Sequence, residues 1–176
     1  MTLQSRKFQK RDISELFAWF ETEELVLAWA GAALTWPLQR RAFVELLKHD
    51  GQHSPYREVW AVDRSDEMIG HFQIVFNRRL RTAGLGRIAL APHVRGEGLS
   101  KTLMTLILDH AFAPAWVHRV ELNVFSQNAR AISAYERAGF IFEGSRRQTT
   151  PIQGEIWDTH LMSILRPEFD KRTERE

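Results

Sequence analysis

Between Arg95 and Lys101 the chain reads Arg-Gly-Glu-Gly-Leu-Ser-Lys, a glycine-punctuated turn that opens an amphipathic helix. The first amides of a helix have no intrahelical acceptor and carry the positive end of the helix dipole, so such a turn suits a phosphate-bearing ligand. Gly96 and Gly98 let the backbone approach closely, Ser100 keeps the side chain small, and Arg95 and Lys101 add positive charge. Further along, a helix over 128–138 carries Tyr135 on the stripe Ala131, Ile132, Tyr135, Ala138. A phenol on a core-facing stripe needs a hydrogen-bond partner, either a backbone carbonyl of the sheet or something polar opposite it. Two further groups could titrate in a site. His71 shares a strand face with Gln73, open to solvent, to a ligand or to a neighbouring strand. Glu121 shares one with Asn123 and Phe125.

Other chemistry is excluded. The chain has no cysteine, so there is no disulfide, thiolate metal site or cysteine-bound intermediate. The Gly-Lys-Ser/Thr ending of a P-loop is missing, as is the full Gly-x-Gly-x-x-Gly of a dinucleotide fold. With a formal charge of +2 spread over scattered arginines, a nucleic-acid partner is not expected. The sharpest basic cluster, Arg78, Arg79 and Arg81, reads as a solvated loop, with steering of an anion as the minority alternative. The start of the chain is polar and basic without the apolar run of a signal peptide, and no run is long enough to cross a bilayer. The expectation is a cytoplasmic protein with no membrane partner.

The elements that must position these residues follow from periodicity. Ile88 to Ala91 is a short apolar strand broken at Pro92, and the helix after the turn has the stripe Leu99, Leu103, Leu106, Ile107, His110. Leu3 to Gln9 reads as a first strand. Asp12, with Glu15 as capping-box partner, starts one helix; Thr22 starts a second that Gly31 ends; a third runs from Gln39 to His49. Trp29 to Trp36 is a small-residue segment between indoles, either core or the wall of a pocket. Glu58–Val62 and Met68–Phe76 form a hairpin, and Arg119–Phe125 alternates as a strand with Val120, Leu122 and Val124 inward. Phe140–Glu143 is a short strand paired with Ile156–Leu165 across a polar segment, and Arg166–Glu176 is a charged, frayed tail. The fold class is therefore α/β, a mixed, mostly antiparallel twisted sheet flanked by helices, in one domain over 1–165 with the tail over 166–176.

Two motifs in this order carry a resemblance. Arg95-Gly-Glu-Gly-Leu-Ser100 resembles the Arg/Gln-x-x-Gly-x-Gly/Ala pyrophosphate loop of the GNAT N-acetyltransferase family, with Ser100 where glycine or alanine is usual. Asn128-Ala-Arg-Ala-Ile-Ser-Ala-Tyr135-Glu-Arg-Ala-Gly-Phe140 is similar to that family's Asn-x-x-Ala-x-x-x-Tyr-x-x-x-Gly-Phe signature. The resemblance covers roughly 56–145. It implies acetyl-CoA as cosubstrate and direct acetyl transfer to an amine acceptor, a small molecule or a protein N-terminus, by a monomer or homodimer without a metal. Its pyrophosphate would be held by Arg95, Gly96, Gly98, Ser100 and Lys101. The pantetheine arm would lie along Ile88, Ala89 and Leu90, and Asn128 would contact that arm. Tyr135 would protonate the leaving thiolate. For the base that takes the amine proton, Glu121 comes first, then His71, with a water relay held by Asn123 and backbone carbonyls serving as well; Glu121 could equally just pair with an arginine. The rival expectation is a non-catalytic acyl-CoA-binding or regulatory module. Glu23 and Glu24 read either as attractants for a cationic amine or as surface charges at a helix start.

Overall fold

The computed structural model describes residues 3–47 and 55–173. Alternating apolar and polar runs become β1 (Gln4–Lys7), β2 (Tyr56–Arg64), β3 (Glu67–Asn77), β4 (Thr82–Leu90), β5 (Arg119–Phe125), β6 (Ile141–Ile152) and β7 (Glu155–Leu165). The helical runs become α1 (Ile13–Ala18), α2 (Glu23–Ala30), α3 (Arg40–Leu47), α4 (Ser100–Phe112), α5 (Ala129–Arg137) and α6 (Arg166–Thr173). The strands form one seven-stranded sheet in the order β1-β2-β3-β4-β5-β7-β6. Every pairing is antiparallel except β4 with β5, the parallel crossover that α4 makes. The mixed sheet flanked by helices is thus as expected.

Both faces are covered. Phe72, Ile74 and Phe76 of β3 are buried on one side, while His71 and Gln73 are buried on the other. The second face is roofed by aromatics from the first helices: the His71 ring meets Phe8, Trp29 and Phe43 edge-on or tilted at 5.1, 5.6 and 6.1 Å. Among the described residues, no helix is long and apolar enough to cross a membrane.

Several local expectations hold. The Thr22 hydroxyl accepts from the Leu25 amide at 3.3 Å, Gly31 closes α2 with φ 59° and Gly139 follows α5 with φ 93°. Others are corrected. Asp12 does not cap α1 with its side chain; its carboxylate accepts the Gln9 amide and the Arg6 guanidinium, each at 2.7 Å, because a cation from β1 outcompetes a helix amide. The expected third helix is α3 over Arg40–Leu47, and positions 48 and 49 lie outside the described residues. The polar segment after Glu143 is not a connection: β6 runs through it to Ile152 and pairs with β7 across two register shifts. Bulges hide the strand's period from a pattern reading.

The buried face of α4 is wider than the expected stripe, taking in Met104, Leu108, Ala111 and Phe112. The reason is α6. Arg166–Thr173 is a helix, not a frayed tail. Phe169 stacks on Phe112 at 4.6 Å, and the Arg166 guanidinium donates to the carbonyls of Val117, Phe112 and Pro114 at 2.7 to 2.9 Å. Residues 174–176 lie outside the described part.

Candidate active site

The site is made by a failure of two strands to stay together. β4 and β5 pair only from Thr82↔Arg119 to Leu85↔Leu122. At the next residues β4 bulges: Gly86 faces Gln73 and Ala89 faces His71, so Arg87 and Ile88 together oppose a single residue of β3. Arg87 takes φ 48° to do this. A bulge bends and over-twists its strand, and from here Ile88, Ala89 and Leu90 diverge from β5, leaving their outer backbone edge without a strand partner. The bend is held from the helical side, where the Arg87 carbonyl accepts the Trp29 indole N–H at 2.9 Å and lies 2.8 Å from His71 Nδ1.

The divergence opens a cleft of about 440 Å³. One wall is Ile88, Ala89 and Leu90, the other Phe125, Gln127, Asn128 and Ala131, and Tyr135 and Trp29 stand within it. Arg95, Ser100 and Arg130 line its cationic end. Burial, and then the proximity of Arg130, lower the Arg95 pKa, as expected where two cations converge without an anion between them. α4 begins here without a side-chain cap, so its first amides are left for a ligand. Gly96 and Gly98 adopt φ 98° and 79°, and a Cβ on either would meet no protein atom within 4 Å; their role is conformational, in the left-handed region that glycine adopts without penalty.

Sequence reasoning singled out Ile88, Ala89, Leu90, Arg95, Ser100, Asn128 and Tyr135, and all seven line this cleft. Gly96, Gly98 and Lys101 belong to the turn and helix start at its end without lining it. Asn128 has a structural task as well: its side-chain oxygen accepts the Ala131 amide at 3.2 Å and caps α5. Arg130 was missed, although its place within the Asn128–Phe140 motif, one helical step from the cap, was the signal that could have found it.

Tyr135 stands where this cleft meets a second one. Its ring packs on Phe140 at 5.9 Å, and among the described residues its hydroxyl has no hydrogen-bond partner, so it does not cap the sheet through a backbone carbonyl. Burial pushes the phenol up to about 12, which keeps it protonated at neutral pH.

Neither candidate base lines either cleft. The Glu121 carboxylate pairs with Arg119 Nε at 2.8 Å. The same guanidinium holds Glu143 of β6, with Nη1–Oε1 at 2.7 Å, and Ser163 of β7 at 3.1 Å, a clasp across three strands. It holds the Glu143 carboxyl down at about 2. His71 is fully buried, and desolvation lowers its pKa to about 3, so it is a neutral ring at neutral pH. Asn123 does line the second cleft, with its oxygen engaged by Arg146 at 3.0 Å.

Trp29 proves to be core and pocket wall at once, stacking on Phe20 at 4.2 Å while lining both clefts; Trp36 is exposed. Glu24 bonds Gln153 in the β6–β7 turn at 3.3 Å. The arginine cluster of the β3–β4 turn sits at the far end of β4, roughly 25 Å from the cleft by strand rise, where Arg78 covers the Trp116 ring and Arg81 bonds the Trp116 carbonyl.

A bulged, splayed strand pair thus encloses a cleft with arginines and uncapped helix amides at one end and a tyrosine hydroxyl within it, a shape that suits a long ligand with an anionic end. Residues 15–140 match the acetyltransferase (GNAT) family model. A spermidine N(1)-acetyltransferase of Vibrio cholerae serotype O1 is 29% identical over 64% of this chain and 65% of its own length, so the chain spans slightly under two thirds of that relative. YjcK of Bacillus subtilis strain 168, a probable N-acetyltransferase, is 33% identical over 76% of this chain and 74% of its own. The crystal structure of the Vibrio cholerae spermidine N-acetyltransferase in complex with CoA and spermine superposes with a TM-score of 0.82 at 24% identity, covering 96% of this chain and 98% of that one. The chain belongs to the GNAT acetyltransferase family and is an acyltransferase.

Proposed function

We propose that acetyl-CoA enters the cleft from its Arg95–Arg130 end and that Tyr135 is the general acid of the transfer. The observation that carries this is the unpartnered, protonated Tyr135 hydroxyl at the junction of the two clefts. The pyrophosphate would take the amides that open α4 together with the guanidinium of Arg95, and the amide-bearing arm would add to the free edge of Ile88–Leu90 as a short extra strand. The thioester then lies at the bulge.

The neutral amine attacks the thioester carbonyl and gives a tetrahedral adduct, whose oxyanion is best stabilised by backbone amides of the diverging half of β4. Collapse breaks the carbon–sulfur bond, and the thiolate takes the Tyr135 proton. The proton shed by the amine passes through water to restore the phenol, so the products are the N-acetyl amine and CoA thiol. Glu121 is tied to Arg119 and His71 is neutral and walled in, which supports the water relay past Asn123 as the route for that proton.

The test is Tyr135→Phe. Donor binding, measured by calorimetry, is expected to stay within about threefold of the native protein. The turnover number, followed by CoA release with a panel of amines, is expected to fall by about 100-fold, within the range that one proton-transfer group contributes. Undiminished turnover in Tyr135→Phe would remove the phenol from the mechanism. Binding without turnover in the native chain would favour the acyl-CoA-binding module.

A further inference from the structure

The second cleft opens on the helix-covered side of the sheet and is the approach left to an acceptor once the donor fills the first. Its charged lining residues are Arg87 and Arg146, and among the described residues that line it there is no aspartate or glutamate. Gln73 and Arg57 do not line it themselves but share one sheet face and join it through Arg87: Val59 pairs with Gln73, and Arg57 is two residues from Val59 on β2. Arg87 Nη1 donates to the Gln73 side-chain oxygen at 2.8 Å.

This group is short of acceptors. Arg57 Nε, Gln73 Nε2 and Arg87 Nε are buried donor atoms without a hydrogen-bond partner, and Gln73 as a whole is 1% exposed. Unpaired buried donors are rare, and two guanidiniums brought together with no carboxylate among the described residues beside them are rarer, because each unmet group keeps its full desolvation cost. Burial, followed by the field of Arg57, draws the Arg87 pKa down to about 10. Exposed arginines on a solvated face would show neither feature.

From this unmet set of donors we infer that Arg57, Gln73 and Arg87 form an anion subsite at the acceptor end of the cleft, and that the acceptor is an amine that also carries a carboxylate. The inference rests on the reading of the cleft as an amine acetyltransferase and names its substrate class. A guanidinium pair with one amide N–H matches the lone pairs of a carboxylate, and an acceptor so held would present its amine toward Tyr135. A polycation such as spermidine would meet two uncompensated arginines and no acid.

Two measurements separate the subsite from the transfer reading. First, glycine, β-alanine and γ-aminobutyrate, each with its carboxamide, are compared with spermidine as acceptors by CoA release. At least one acid is expected to exceed its amide and spermidine by tenfold or more in kcat/KM, and Arg57→Gln to shrink that acid-to-amide ratio at least tenfold. Second, thermal unfolding of the CoA-saturated protein is followed with N-acetylglycine, N-acetyl-β-alanine or N-acetyl-γ-aminobutyrate against the matching amides. At least one acid is expected to raise Tm in the native protein and to lose that effect in Arg57→Gln. Amides or spermidine acetylated as well as the acids, or stabilisation equal for acid and amide, would overturn the subsite while leaving the transfer reading standing. Acid-specific stabilisation with no CoA release from any amine would uphold the subsite and remove the transfer reading.

Discussion

His71 shows how a residue can belong to a site without acting in it. Its Nδ1 lies 2.8 Å from the Arg87 carbonyl, its Nε2 is buried without a partner, and Phe8, Trp29 and Phe43 enclose the ring. Its work is to back the bulge that opens the cleft. Because burial lowers its pKa from 6.5 to about 3, the unfolded chain binds the extra proton between those values. Stability therefore rises with pH across that window: the contribution is complete above about pH 6.5 and is lost as pH falls toward 3. The expected slope from this residue is on the order of 1 kcal/mol per pH unit. Urea unfolding at intervals from pH 7 to pH 4 checks it, and the slope should flatten in His71→Gln; an unchanged slope in that variant would place the acid sensitivity elsewhere. The same burial removes an inflection near pH 6 to 7 from the rate profile, so kcat/KM is expected to climb smoothly with the fraction of neutral amine.

At the scale of the element, α6 carries a test of its own. Phe169 stacks on Phe112 of α4, so the helix that follows the sheet clamps the helix that opens at the end of the first cleft. Phe169→Ala is expected to cost about 2 kcal/mol, toward the low side for removal of an aromatic because the ring is half-buried, and chemical denaturation would read it. A loss below about 0.5 kcal/mol would mean that α6 rides on the surface. The charge density of 166–176 concealed this helix, because Phe169 is outnumbered by charged residues and Arg166 docks by hydrogen bonds to carbonyls, which no apolar pattern reveals. Where the chain was legible, a local rule sufficed: glycines before a helix start, strict alternation in β5, Thr22 and Gly31 at the ends of α2. β6 was illegible because its register slips twice against β7, and the pairing of Glu121 with Arg119, open to it by spacing on one strand, is decided by Glu143 and Ser163, which fix that arginine from two other strands. Pairing between side chains is a tertiary fact, whereas the donor turn and the tyrosine helix are local patterns. That is why the residues that line the first cleft could be read one by one and most of those that line the second could not.

For the whole molecule, the consequence of the split sheet is mechanical. β1 to β4 lie on one side of the cleft and β5, β7 and β6 on the other, and the ladder between them has only the four residue pairs from Thr82↔Arg119 to Leu85↔Leu122. Beyond Leu85 the halves are bridged by helices and, when it is bound, by the donor. A ligand that satisfies the open edge of β4 and the first amides of α4 while resting on the start of α5 should suppress local opening there more than anywhere else, since local openings draw on the least-bonded backbone. Hydrogen exchange with and without CoA is therefore expected to show added protection concentrated in 86–103 and 125–132. β1 and β2, two and more strands away from the cleft, should change only by the global stabilisation that binding imparts, about 2.7 kcal/mol when ligand is present at 100 times its Kd. Protection spread evenly over all strands would mean that the sheet opens only as a whole and that the short ladder is no weak seam. Protection confined to 86–103 would mean that the donor touches one wall alone, and the proposed bridging of β4 to α5 would fall.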